Sequence, residues 1–68
     1  MDLKIGSSYI IVFKIGEKPL TFHCKIISVD SDGFIEFEDK FGKKLCYNKN
    51  TIMSTEELDE WQLKYQVN

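Results

Sequence analysis

Lys40, Lys43, Lys44 and Lys49 cluster in one short stretch, with Phe41 and Tyr47 interleaved among them. Ammonium groups meet phosphates and aromatic rings stack on bases, so this combination has the chemistry to hold single-stranded RNA or DNA. The same residues also fit a plainer role. A lysine-rich turn keeps a hairpin end soluble, while Phe41 and Tyr47 belong to the core. Every basic residue is Lys and none is Arg, the usual bidentate reader of phosphate and guanine.

Around Gly33 the run from Ser28 to Asp39 resembles an EF-hand calcium loop, with Asp30 and Asp32 before the glycine and Ile35 two residues after it. Such a loop needs an acidic first ligand, a bidentate Glu at its last position and a helix on each side. Here Ser28 and Asp39 stand at those two positions and both flanks have strand patterning. A hairpin turn with solvated carboxylates is therefore the expected structure, with calcium at Asp30 and Asp32 a distant alternative.

His23, Cys24 and Cys46 are the soft-metal candidates. Neighbouring residues of a strand point to opposite faces, which separates His23 from Cys24 and disfavours both a shared ion and a Cys–His catalytic pair. A structural zinc site also requires four ligands at characteristic spacing. Two cysteines are too few for a disulfide framework, and buried small hydrophobes are the expectation. No metal, cofactor or catalytic constellation is predicted, and the chain reads as non-enzymatic.

A third candidate lies at the C-terminal end. Ser54-Thr55-Glu56-Glu57 matches a capping box, and Leu58, Trp61 and Tyr65 follow at helical spacing. This predicts a helix over about 55–65. Leu58, Trp61 and Leu63 among Glu56, Glu57, Asp59 and Glu60 are then candidates for docking a partner protein or a second copy of the chain. The plainer role for that helix is to complete its own core.

The elements that must position these groups are short. Sixty-eight residues with 43% hydrophobic content support one small domain. A net charge of −2 and a pI near 5.2 give the molecule no overall attraction for nucleic acid or anionic membrane. No apolar run has the length of a membrane span or the character of a signal peptide, so a cytoplasmic protein without membrane partners is expected. Strands are predicted over about 9–15, 20–29, 34–39, 44–48 and 51–53, with turns at Gly16–Pro19, Asp30–Gly33, Asp39–Lys44 and Asn48–Asn50. The apolar alternation of the second strand changes phase at Ile26-Ile27, which predicts a β-bulge or sharp bend there.

Five short strands with a bent second strand and a terminal helix resemble the SH3-like and Sm-like small β-barrels. The resemblance spans about Tyr9 to Met53, and it implies a mainly β, five-stranded antiparallel barrel acting as a binding module. Asp30 lies near the aspartate position of the Sm pattern. The Asn and the Arg-Gly pair of that family's RNA-binding loops have no counterpart, so no residue inherits an RNA-binding role from it. Two functions follow from the sequence. The first is single-stranded nucleic-acid binding through Lys40, Phe41, Lys43, Lys44, Tyr47 and Lys49. The second is protein interaction or self-association through an edge strand or the C-terminal helix.

Overall fold

A computed structural model describes residues 3–58 of the chain. These residues form five strands: β1 (Ser8–Ile15), β2 (Lys18–Val29), β3 (Phe34–Glu38), β4 (Lys44–Asn48) and β5 (Ile52–Leu58). A single 3-10 turn, Lys49–Thr51, joins the last two. All pairings are antiparallel, in the order β4-β3-β2-β1-β5.

The β1–β2 turn is tighter than the predicted Gly16–Pro19. Ile15 pairs with Lys18, which leaves two loop residues. Gly16 takes a φ of 67° and, among the described residues, no non-glycine residue has positive φ, the pattern of a type II′ hairpin. Pro19 therefore lies inside β2, opposite Lys14. Next to a two-residue hairpin this is a non-hydrogen-bonded pair, so the Pro19 nitrogen faces away from β1. β3 pairs with β2 only from Lys25 onward, so the missing N–H removes no ladder bond.

The core occupies the concave face. Tyr9, Ile11, Phe13, Cys24, Ile26, Ile35 and Phe37 are buried there, with Leu3, Phe22, Leu45, Tyr47 and Ile52 packed around them. Phe13, Phe22, Phe37 and Tyr47, one from each of β1 to β4, form a four-ring cluster with centroids 5.0–5.9 Å apart. Such pairs contribute beyond their buried area.

That cluster requires strong curling. In a flat sheet β1 and β4 lie three strand spacings apart, about 14 Å, yet the Phe13 and Tyr47 rings are 5.0 Å apart. The edges show the same thing: β4 and β5 are four spacings apart in order, about 19 Å if flat, and three residues join them. Two register shifts supply the bend. One leaves Ile27 unpaired between Ile26 and Ser28, where the sequence phase change predicted it. The other leaves Met53 unpaired between Ile52 and Ser54. Each extra residue increases the local twist.

Two expectations are corrected. The sheet is not closed into a barrel: among the described residues neither β4 nor β5 has a second strand neighbour. Both run antiparallel to their only neighbours in an alternating sheet, so they point in the same sense. The 3-10 turn joins them end to end rather than side by side. The predicted helix over 55–65 is also overturned where it can be seen. Thr55 to Leu58 continue β5, paired along β1 as far as Ser8. The free edge of β1 outweighs the capping-box signal, because pairing along it satisfies alternate backbone groups of β5 and buries Leu58. Residues 59–68, including Trp61, Leu63 and Tyr65, lie outside the described residues.

Candidate nucleic-acid interface

The β3–β4 hairpin is organised by one carboxylate. Asp39 N–H donates to the Lys43 carbonyl at 2.8 Å, and Gly42 N–H donates to the Asp39 carbonyl at 3.0 Å. Asp39 Oδ1 then accepts from the N–H groups of Phe41 and Lys43, both at 2.9 Å. Gly42 closes the turn with φ 83°, a left-handed position that suits glycine. With the N–H groups of Asp39, Phe41, Gly42 and Lys43 engaged, the turn is braced from within, and the residues at its tip, 40–42, are exposed.

Phe41 projects furthest. The residue is 82% exposed, the most exposed large hydrophobic among the described residues. Lys40 Nζ stands 5.2 Å from the ring centroid, within cation–π range. Lys43 and Lys44 flank the same tip and are exposed. One aromatic ring and one ammonium group thus meet on a braced loop, with two further exposed lysines next to it in the chain.

The other two residues of the predicted cluster are elsewhere. The Tyr47 ring belongs to the four-ring core cluster. Lys49 lies past the far end of β3, because Phe34 pairs with Asn48 while Glu38 pairs with Lys44. The five residues of β3 put about 13 Å between those ends. There Lys49 N–H donates to the Gly33 carbonyl at 2.7 Å, and its aliphatic stem covers Gly33.

At that far end the Asp30–Gly33 turn repeats the same design. Asp30 Oδ1 accepts from Asp32 and Phe34 N–H groups at 2.9 Å each, and Gly33 has φ 89°. The Asp-x-x-Gly pattern recurs from Asp30 to Asp39 in the sequence, and this is the signal that sequence reasoning passed over. Asp30 and Asp39 of the calcium-like run are therefore turn formers. Among the described residues no group of three or more His, Cys, Asp or Glu is placed to hold a metal ion.

The remaining candidates separate as well. Cys24 is buried in the core of β2 while Cys46 is exposed on β4, with β3 between them. Burial, with the Asp39 charge adding to it, pushes the Cys24 thiol up to about 12, so it stays protonated and inert. His23 is half-buried on the outer face of β2. Leu58, predicted on a docking helix, is a buried residue of β5 paired with Ser8 and lies apart from the main core cluster. Its proposed companions Trp61 and Leu63 lie outside the described residues. No known family, curated protein or solved structure matches this chain.

Proposed function

We propose that this chain is a non-enzymatic binding module whose β3–β4 tip holds single-stranded RNA or DNA. The observation that carries the reading is Phe41, an 82% exposed residue whose ring lies under the Lys40 ammonium. A ring in that position adds little to the fold, and it offers a flat apolar face to a base. Base–aromatic stacking contributes about 1–3 kcal/mol per base and tolerates any sequence. Lys40, Lys43 and Lys44 supply the phosphate contacts.

With three phosphates neutralised, log K falls against log salt with a slope of about −2. The net charge of −2 holds affinity low and confines binding to the tip. An amide NMR titration with mixed-sequence single-stranded RNA and DNA, at low and then moderate salt, tests this. Shifts centred on 40–44 that shrink with salt, and vanish in a Lys43→Ala/Lys44→Ala variant, are expected. An unchanged spectrum at low salt overturns the proposal.

The open edges favour a second reading, protein interaction or self-association by strand addition. β4 and β5 each have one strand neighbour among the described residues, and Met53 on β5 is 58% exposed. Sedimentation velocity across a concentration series separates the two. Concentration-dependent association without nucleic acid supports the edge reading.

A further inference from the structure

Lys40 has a second set of neighbours. Besides standing over Phe41, it lines a shallow depression of about 270 Å³ on the outer face of the sheet with Ile10, Thr21 and His23; Phe22, whose ring packs in the core on the other face, completes the lining between Thr21 and His23. Ile10 and His23 are directly paired across β1 and β2, so an apolar side chain and an imidazole lie side by side there. Thr21 is exposed and adds a hydroxyl. No carboxylate lines this depression.

A second depression, about 220 Å³, shares His23 and Lys40 with the first, but Ser8, Lys25, Glu38 and Asp39 complete it. Its two acids offset Lys25 and Lys40. The outer face is thus asymmetric about Lys40. One side is cationic and apolar, and the other is charge-neutral and acid-bearing.

We infer that the depression lined by Ile10, Thr21, His23 and Lys40 receives the base of the nucleotide adjacent to the one stacked on Phe41, with Lys40 on the phosphate between them. The inference rests on the proposed nucleic-acid reading and extends it to a two-base site of fixed direction. Both depressions lie below the roughly 300–1,000 Å³ of a drug-sized ligand pocket. The first suits one flat heterocycle, with Ile10 and the His23 ring against it and the Thr21 hydroxyl available to its edge. The strand turns away from the second depression because Glu38 and Asp39 repel phosphate there.

The test uses the full chain and fluorescein-labelled oligouridylate, with amide NMR on the same samples. Thr21→Glu places a carboxylate on the rim at an exposed position. It weakens binding about tenfold, the scale of one lost base contact. Ser31→Glu adds the same charge beyond the far end of β3 and leaves affinity within twofold of wild type. Amides of Thr21 and His23 shift together with that of Phe41. Phe41→Ala weakening binding, while Thr21→Glu matches Ser31→Glu and the Thr21 and His23 amides stay still, overturns the second base site and leaves the tip reading standing. Absence of any wild-type binding overturns both.

Discussion

The twin turns allow one carboxylate interaction to be measured twice in the same molecule. Asp30 and Asp39 each present one oxygen to two backbone N–H groups at 2.9 Å. Replacing either by Ala orphans two donors at the mouth of a hairpin, the same loss as deleting an Asp helix cap, which costs about 1 kcal/mol. In a domain this small, that lowers the melting temperature by roughly 4–8 °C. Asn keeps the accepting oxygen and gives up only the charge, so Asp→Asn costs less than half of Asp→Ala. The two turns lie about 13 Å apart along β3, too far to couple, and the double Ala variant loses about 2 kcal/mol. Urea denaturation followed by circular dichroism reads all five variants. Ala variants within 0.3 kcal/mol of wild type, a threshold set by about the scatter of additivity, would show that water replaces the carboxylate without loss. Asn as damaging as Ala would refute the acceptor argument in favour of a purely electrostatic one.

The core and the surface should respond very differently. Phe41→Ala, at an exposed tip, changes stability by less than about 0.5 kcal/mol, which denaturation midpoints will show. Phe37→Ala removes a fully buried ring from the four-ring cluster at a cost of about 3–5 kcal/mol. With roughly 3–10 kcal/mol available to a chain of this size, circular dichroism of that variant should show a largely unfolded protein. Gly42→Ala forces a side chain into the left-handed region and loses about 1–2 kcal/mol by the same assay, with Gly42→Asn milder. A thiol reagent labels Cys46 in the native protein and both cysteines only after denaturation, countable by mass spectrometry. Cys24 has a raised folded-state pKa, so the unfolded chain loses its proton first. Its contribution is complete below pH 9 and declines between pH 9 and 12. At pH 10 wild type should have lost about 1.4 kcal/mol more than a Cys24→Val variant.

The sheet was legible wherever side chains alternate. β1, β3 and β4 lie within a residue of their predicted bounds, and the doubled apolar pair Ile26-Ile27 marked the bulge, because a register shift must put two neighbours out of phase. Closure was not legible. Curl and closure demand the same bulges, and only the placement of the last strand distinguishes them. β5 was misread because Ser54-Thr55-Glu56-Glu57 satisfies a local helix rule while the competing partner, β1, lies more than forty residues away in sequence. Part of the candidate interface was misassembled for a related reason. Lys49 and Tyr47 are near Lys44 in sequence, but β4 carries Lys49 to the opposite end of the sheet and alternation turns Tyr47 inward. Tip exposure follows from a turn type, and the Asp-x-x-Gly spacing that sets it was present at both sites.

The pairing of β5 with β1 divides the molecule by timescale. The contacts of β1 to β4 join consecutive strands through short turns, whereas Ser8 meets Leu58 only after nearly the whole chain has been laid down. Loop-closure entropy makes such a ladder the last to form and the first to open. Amide hydrogen exchange should therefore resolve two cooperative units: a slowly exchanging four-stranded meander, and a β5 ladder that opens sub-globally. The tip carrying Phe41 belongs to the first unit. The binding proposed for that tip would thereby be insulated from fraying at the β5 edge, and a partner that captured β5 would leave the tip intact.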